Sequence, residues 1–237
     1  MTQQLPPPSM FHNLKFRTFI LSTFDATERL ENTIEEVSKV GLLGTPVVLR
    51  SIRDTEDVRR GCWNAHMRVV SMIKSEKLDF GVVFEDDLKF LDGLDPKILN
   101  DSVARSMEFA ENRIKTCMPL DAVFLGHLPM GSLMPITPMG GIVRCDRSFL
   151  THAMIVGPNW VDKLISTNYD RRVYNGHVDQ FLAKQPNVFS VYPMIAFQRN
   201  LEASEHASTM DKCLVYLRNT FGTDKLCKLT ESVFSKF

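Results

Sequence analysis

Short apolar runs rich in β-branched and aromatic residues alternate along this chain with longer amphipathic segments. Residues 16–22, 46–52 and 80–84 are such runs, each of the length expected for a buried strand. Between them, apolar residues recur at intervals of three and four, as in a helix that buries one face. Strands separated by helices at this spacing predict an α/β fold with a mostly parallel, Rossmann-like central sheet flanked by helices.

The same alternation continues to the C-terminus, and no break in composition marks a second domain. Residues 1–13, which contain Pro6, Pro7 and Pro8, are predicted to form an irregular N-terminal arm, and residues 14–237 one domain. Residues 126–141, rich in Gly, Pro and Met, are predicted to form a long loop. The other predicted elements are helices at 55–78, 96–117, from Pro158, at 179–184, 210–221 and 224–237, and strands at 121–125, 142–145, 151–156 and 188–192.

Charge and composition exclude several classes of protein. The 28 Lys and Arg residues balance the 28 Asp and Glu residues, so the chain lacks the basic excess expected of a nucleic-acid-binding protein. No apolar run reaches the roughly 18 residues that a transmembrane segment needs. The five cysteines are odd in number, and the N-terminus does not have the pattern of an export signal. We therefore expect a soluble cytoplasmic protein with free thiols.

Three consecutive carboxylates, Glu85, Asp86 and Asp87, directly follow the third predicted strand. Ligands bind at the carboxyl ends of parallel strands, so this position favours a site. Unpaired ionised carboxylates leave water only at a high cost, whereas Mg²⁺ and Mn²⁺ prefer oxygen ligands. If the chain stays extended, Glu85 and Asp87 project to the same side and, with diphosphate oxygens, complete a metal site. The alternative is an acidic loop or a helix cap.

The run VVFEDDLKF resembles the EDD motif of glycosyltransferase family 25, the lipopolysaccharide and procollagen galactosyltransferase group, where it is the metal site of a GT-A fold. Other segments resemble motifs of this family in the same order, over about residues 16–208. The pattern is broken at Ala65, Met154 and Gly157. The matching segments are FILSTFDATERLE with Arg29, GCWNAH with His66, AVFLG, THAMIV, VDQF with Asp179, and Tyr192-Pro193 followed by Gln198.

The resemblance implies a hexosyl- or pentosyltransferase that uses Mn²⁺ or Mg²⁺. Such an enzyme moves a sugar from a nucleoside-diphosphate donor, here expected to be a UDP-sugar, to a hydroxyl of a glycan or glycoprotein with inversion. Asp87 would hold the metal, and Glu85 would support it or contact the ribose. The chain lacks an evident endoplasmic-reticulum signal, so it is more similar to microbial or viral members of the family.

The resemblance also implies nucleotide contacts at the ends of the first two strands. Ser22, Thr23 and Asp25 follow the first strand, where GT-A enzymes contact the base. Arg29 would reach uracil or a phosphate, and Arg50 ends the second strand. The residue types alone allow other roles. Asp25 would cap the next helix, Arg29 would face solvent, and Arg50 would pair with a surface carboxylate.

Two histidines are further candidates for donor contacts, together with Glu85 and Asp86. His66 lies on a predicted helix with many apolar residues, where a packing histidine is the alternative to a ligand. His127 follows the strand that ends in Leu125-Gly126, and it would contact the donor sugar unless it is an ordinary loop residue.

The acceptor side requires a group that removes a proton from the attacking hydroxyl. Asp179 is the candidate general base, with His177 in reserve. Asp179 would alternatively cap a helix or contact the donor sugar. His206, in a polar segment late in the chain, is a candidate metal or diphosphate contact, against the alternative of a solvated loop residue.

Two other functions remain open at this point. A glycosyltransferase-like domain without activity would bind a partner or a glycan and keep the same motifs. A sugar-nucleotidyltransferase also uses an acidic metal site on an α/β sheet. That class would bring a Gly-rich phosphate loop bearing Arg or Lys near its N-terminus, which the segment FILSTFDATER lacks.

Overall fold

The computed structural model of the protein describes residues 5–129, 131–136 and 141–199. It has the predicted α/β architecture, in which a large central sheet lies between two layers of helices. The strands are β1 Ser9–Phe11, β2 Leu14–Thr23, β3 Val47–Ser51, β4 Phe80–Glu85, β5 Leu88–Phe90, β6 Ala122–Pro129, β7 Leu133–Pro135, β8 Ile142–Cys145, β9 Ser148–Val156, β10 Val188–Val191 and β11 Ala196–Gln198. The helices are α1 Thr27–Ser38, α2 Val58–Ser75, α3 Pro96–Lys115, α4 Pro158–Ile165 and α5 Val178–Leu182.

The described part of the central sheet has nine strands, in the order β1-β2-β4-β9-β6-β10-β8-β7, with β3 also paired to β2. Strands β2, β3 and β4 are mutually parallel, and β6 is parallel to β10. The long strand β9 lies between β4 and β6 and is antiparallel to both. As a result β2, β3, β4, β6 and β10 all run in one direction, as the prediction of a mostly parallel sheet requires.

The core has two layers, one on each face of the sheet. Alternate residues of β4 enter different layers, with Val82 and Phe84 on one side and Val83 on the other. Helices α1 and α3 cover the first layer, and α2, α4 and α5 cover the second. Burying a side chain such as Phe84 stabilises the fold by roughly 1.5–3 kcal/mol, so this sheet provides a rigid base for the loops at its edge.

Local capping decides where the helices start. Helix α2 begins at Val58 rather than at residue 55, because the Asp57 carboxylate accepts hydrogen bonds from the backbone N–H groups of Arg59 and Arg60. The hydroxyl of Tyr169 donates to the same carboxylate at 2.6 Å, which fixes this end of α2 against the rest of the fold. The capping role considered for Asp25 is wrong, since Ala26 occupies the N-cap of α1 without a side-chain bond.

Two further departures from the predicted boundaries lie in the N-terminal arm and in the predicted loop. Residues 9–11, within the arm predicted to be irregular, form β1 and pair with the start of β2. Strand β6 continues to Pro129, and β7 lies within the predicted loop. His127 is therefore part of a strand rather than the residue after one. The helices predicted at 210–221 and 224–237, and the candidate ligand His206, lie outside the described residues.

A small second sheet extends the site edge of the fold. Strand β5, which directly follows the three carboxylates, pairs antiparallel with β11, so that Gln198 lies opposite Leu88. A side chain at Gly126 would collide with the carbonyl of Ala196, so glycine at this position lets β11 cross close to β6. No helix among the described residues is long and apolar enough to cross a membrane.

Candidate active site

The carboxyl ends of β2, β3 and β4 meet at one edge of the sheet. Because these strands are parallel, Leu21 lies beside Glu85 and Ser22 beside Arg50. The side chains that follow the three strands therefore converge, as expected from their positions in sequence.

A first cavity of about 150 Å³ opens at this edge. Ser22, Thr23, Glu85 and Asp86 line it from the strand ends, Arg29 from α1, and His66 from α2. These are six of the predicted donor-binding residues, and the fold brings them around one space. The cavity combines three carboxylates, Asp54, Glu85 and Asp86, and two arginines, Arg29 and Arg53, with the polar ends of three strands.

A second cavity of about 140 Å³ lies on the other side of Glu85. Its lining includes Thr151 from β9, Asp179 from the first turn of α5, His177 just before that helix, and Gln198 at the end of β11. Cys62 and Glu85 line both cavities, so these two side chains form a shared wall. A ligand in the first cavity would therefore lie next to a ligand in the second.

Asp86 is held by a cation. Its carboxylate accepts a charge-assisted hydrogen bond from the Arg29 guanidinium, and only 5% of its surface is exposed. Burial is the largest effect on this carboxyl and raises its pKa above the ordinary value, although Arg29 and Ser22 act in the opposite direction. Asp86 thus orients Arg29 at the cavity.

Asp87, by contrast, has no cation bound to its side chain among the described residues. Gln198 donates to its Oδ2 at 3.3 Å, while the buried Oδ1 has no hydrogen-bond partner within the described part of the chain. Burial, followed by the charges of Glu85 and Asp86, raises the pKa of Asp87 to about 8. Ionised Asp87 is therefore costly unless a cation lies beside it. An orphaned carboxylate oxygen next to further carboxylates fits a hard divalent metal ion.

Glu85 occupies the centre of the site. Its Oε1 accepts a hydrogen bond from the Thr151 hydroxyl at 2.8 Å and lies 3.6 Å from Nε2 of His66. Burial on its own would raise the pKa of Glu85, but His66, Thr151 and the charge of His152 together lower it below the ordinary value. Glu85 is thus kept ionised at the wall between the cavities.

Asp179 is anchored by backbone groups. Its Oδ1 accepts from the N–H of Gln180 at 2.7 Å and its Oδ2 from the N–H of Leu150 at 3.4 Å. The Nδ1 atom of His177 lies 3.9 Å from Oδ1. Burial raises the pKa of Asp179, and His177 opposes that effect. The alternative that Asp179 caps α5 is wrong, because His177 is the N-cap residue and Asp179 lies in the first turn of the helix.

Four predicted site residues line neither cavity: Asp87, which lies beside Glu85 and Asp86, and three residues that lie further away. Asp25 forms an exposed ion pair with Arg53 at 2.9 Å, and Arg50 donates to the carbonyls of Thr23 and Phe24. Arg50 therefore stabilises the backbone at the end of β2 and does not line the first cavity. His127 is 1% exposed inside β6, and its Nδ1 lies 2.8 Å from the Ser148 hydroxyl. Burial lowers the pKa of His127 to about 3, so its ring is neutral.

Three further residues of the site were not among the predicted ones. Thr151 binds Glu85, Gln198 binds Asp87, and Cys62, interpreted from sequence as core, lines both cavities. Cys62 and His66 are four residues apart on one helix, so they share a helix face, and this spacing could have identified Cys62 as a site residue. Thr151 and Gln198 reach the site through the pairing of β9 with β4 and of β11 with β5. The residues next to them in sequence do not indicate these pairings.

No protein-family model and no curated protein sequence matches this chain. Among solved structures it is similar to a UDP-glucose pyrophosphorylase complexed with UDP-glucose (8% identity, TM-score 0.47, 86% of this chain and 100% of that chain). It is also similar to a mannose-1-phosphate geranyltransferase from Thermus thermophilus (14% identity, TM-score 0.45, 74% of this chain and 73% of that chain). A third similar structure is a glycosyltransferase involved in glycosylation of the major capsid of PBCV-1 (11% identity, TM-score 0.40, 84% of this chain and 99% of that chain). Because identities and TM-scores are this low, the case for a function rests on the site itself.

Proposed function

We propose that this protein is a metal-dependent glycosyltransferase that moves a sugar from a nucleoside-diphosphate donor, in the first instance a UDP-sugar, to a hydroxyl of a glycan or glycoprotein, with inversion. The observation that carries the proposal is the pair of cavities that meet at Glu85. One is lined by strand ends and Arg29, and the other contains a backbone-anchored carboxylate, Asp179. A donor and an acceptor placed in these cavities would touch at the shared wall.

The first cavity supplies the groups that a nucleoside diphosphate needs. Ser22 and Thr23 offer polar atoms at the strand ends, and Arg29 offers a guanidinium that Asp86 orients. A guanidinium recognises phosphate through paired hydrogen bonds, so Arg29 is the proposed diphosphate contact. The other arginine of the lining, Arg53, pairs with the exposed carboxylate of Asp25, whereas the partner of Arg29 is the buried Asp86 at the end of β4.

Mn²⁺ or Mg²⁺ would be held by Asp87, with Glu85 in support. Oδ1 of Asp87 has no hydrogen-bond partner among residues 5–129, 131–136 and 141–199, and burial raises the pKa of this carboxyl although the charge of Arg29 opposes the effect. Both observations fit this assignment. When bound, such an ion supplies charge neutralisation for the departing nucleoside diphosphate. The family resemblance of the EDD run agrees with this set of residues.

The second cavity provides the base. Asp179 accepts the proton of the acceptor hydroxyl as the acceptor oxygen bonds to the anomeric carbon. The bond from that carbon to the diphosphate oxygen breaks, and the nucleoside diphosphate leaves with the electron pair. The two backbone N–H groups hold the carboxylate in one orientation, and its raised pKa makes it a stronger base than an exposed aspartate. His177 is the reserve candidate.

Replacement of one carboxylate tests the metal assignment. In Asp87→Asn, Mn²⁺-dependent donor hydrolysis and sugar transfer should fall by roughly 10²–10³-fold, comparable to the loss of one preorganised electrostatic contact. The matched control is Asp162→Asn, because Asp162 forms only an exposed ion pair with Lys74. Full activity of Asp87→Asn would refute the mechanism. Nucleotide binding without turnover, across varied donors and acceptors, would instead support an inactive binding domain.

A further inference from the structure

A thiol, an imidazole and a carboxylate meet at the wall between the two cavities. Cys62 and His66 lie one helical turn apart on the same face of α2, and Glu85 ends β4 opposite them. One ligand atom from each of the three lies within 4.8 Å of the others. This set differs from the one proposed to hold Mn²⁺ or Mg²⁺, because it contains sulfur and nitrogen.

His66 directs a ring nitrogen without a hydrogen-bond partner among the described residues toward Glu85 in this cluster. The residue is 1% exposed, and its Nε2 has no hydrogen-bond partner in the part of the chain that the structure describes. The nearest carboxylate atom, Oε1 of Glu85, is 3.6 Å away, which is too far for a hydrogen bond. A buried polar atom without a partner costs roughly 1–3 kcal/mol, so a ligand for Nε2 would relieve a real penalty.

The spacing of the three atoms suits a tetrahedral ion. Ligands held at about 2.0–2.3 Å from a tetrahedral centre are about 3.3–3.8 Å apart. The separation of His66 Nε2 and Glu85 Oε1, 3.6 Å, lies within this range. The Cys62 sulfur lies within 4.8 Å of both other ligand atoms, so an approach of roughly 1 Å brings it to a coordinating distance.

We propose that Cys62, His66 and Glu85 form a binding site for Zn²⁺ that is distinct from the hard-metal position at Asp87. Thiolate and imidazole ligands select zinc over Mg²⁺ and Mn²⁺. Three protein ligands leave a fourth position, and it faces the cavities, because Cys62 and Glu85 line both of them.

The electrostatic surroundings favour a cation at this place. Burial, followed by the charges of Glu85, Asp179 and Asp87, raises the pKa of the Cys62 thiol well above the ordinary value. Binding of Zn²⁺ by the thiolate would release the thiol proton. The negative charges of Glu85, Asp179 and Asp87, which disfavour a free thiolate at Cys62, attract a divalent cation.

Zn²⁺ at this site would act on the proposed transferase through Glu85. The ion would withdraw Glu85 from its proposed support of the metal at Asp87 and would occupy the wall between the cavities, so we expect Zn²⁺ to inhibit transfer in the wild type and much less in Cys62→Ser. Only this consequence rests on the proposed function, since metal binding itself is measured without any substrate.

Titration of the whole chain with Co²⁺, a coloured substitute for Zn²⁺, tests the site directly. The expected result is a saturable near-ultraviolet thiolate-to-cobalt band with tetrahedral visible bands, both removed by Zn²⁺. Cys62→Ser should abolish the thiolate band. His66→Gln should weaken binding by at least the roughly 10–100-fold that loss of an outer-shell partner costs.

The matched control is Cys117→Ser, because Cys117 is exposed and lies outside the cluster. That variant should keep the full cobalt spectrum. Cys62→Ser is nearly isosteric, and thermal unfolding would verify that both site variants fold. A thiolate band that persists in Cys62→Ser, or the absence of any thiolate band in the wild type, would overturn the proposal.

Discussion

The two cavities share a wall but differ in the way their carboxylates are held. In the first, Asp86 is paired with the guanidinium of Arg29. In the second, Asp179 is held by two backbone N–H groups, and a half-buried histidine lies 3.9 Å away. Burial raises the pKa of both carboxyls, but the Arg29 guanidinium occupies the Asp86 carboxylate, whereas neutral backbone donors hold Asp179. The first arrangement suits anion binding, and the second suits proton transfer.

The largest expected effect comes from the second cavity. Asp179→Asn should lower kcat by roughly 10²–10⁴-fold, because the amide cannot accept the acceptor proton. The donor KM should change by less than about twofold, since Asp179 does not line the first cavity. Steady-state kinetics at saturating acceptor would measure both constants. A raised donor KM with an unchanged kcat would show that Asp179 contacts the donor instead.

A smaller effect of the opposite kind is expected from the first cavity. Arg29→Met should weaken donor binding by roughly tenfold, the value of one charge-assisted contact, with little further change in kcat. It should also lower the free energy of unfolding by about 1–2 kcal/mol, because Asp86 stays buried without its cation. This loss is less than for a fully buried pair, since 47% of the Arg29 side chain is exposed.

Calorimetry with UDP and thermal unfolding would measure the two effects of Arg29→Met. Lys74→Met is the control for stability, because both members of its ion pair with Asp162 are exposed. If Arg29→Met bound the donor as the wild type does, the assignment of the first cavity to the donor diphosphate would be wrong.

The smallest expected effect on function comes from His127, which lies outside both cavities. His127→Gln should leave kcat and the donor KM within about twofold of the wild type. The change should appear in the pH dependence of stability. Burial lowers the pKa of His127 from 6.5 to about 3, so the unfolded chain binds the extra proton in this range. Acidification from pH 6.5 toward 3 therefore removes stability, by at most about 1.4 kcal/mol per pH unit.

Denaturant unfolding between about pH 3.5 and 7 would compare the two slopes. The free energy of unfolding should fall less steeply on acidification in His127→Gln than in the wild type. Equal slopes would contradict the lowered pKa of His127. A large loss of transfer activity would show that His127 is coupled to the site.

The parts of the account that sequence reasoning predicted correctly are local in the chain. The period of the apolar residues predicted the α/β class, and the position of Glu85 after a buried strand predicted its place at the carboxyl edge. Parallel register then required Ser22 and Thr23 to lie beside it. These conclusions need only the direction of the strands and the alternation of side chains between the two faces of a strand.

The parts that sequence reasoning missed depend on long-range pairing. Thr151 reaches Glu85 only because β9 inserts antiparallel beside β4, and Gln198 reaches Asp87 only because β11 pairs with β5. Nothing in the neighbouring residues fixes either partner. His127 follows a segment typical of a strand end, but β6 continues through it. His127 is therefore buried in the strand, where sequence reasoning had predicted a contact with the donor sugar.

The most direct test of the central claim is a thermal-shift titration of the wild type with UDP, GDP, CMP and their common sugar conjugates, with and without Mn²⁺. A nucleotide present at about 100 times its Kd stabilises the native state by about 2.7 kcal/mol, which corresponds to a rise in Tm of roughly 5–10 °C for a chain of this length. The account predicts a rise that requires Mn²⁺, occurs with the uridine compounds, and is lost in Asp87→Asn. No rise with any nucleotide, or the same rise without Mn²⁺, would contradict it.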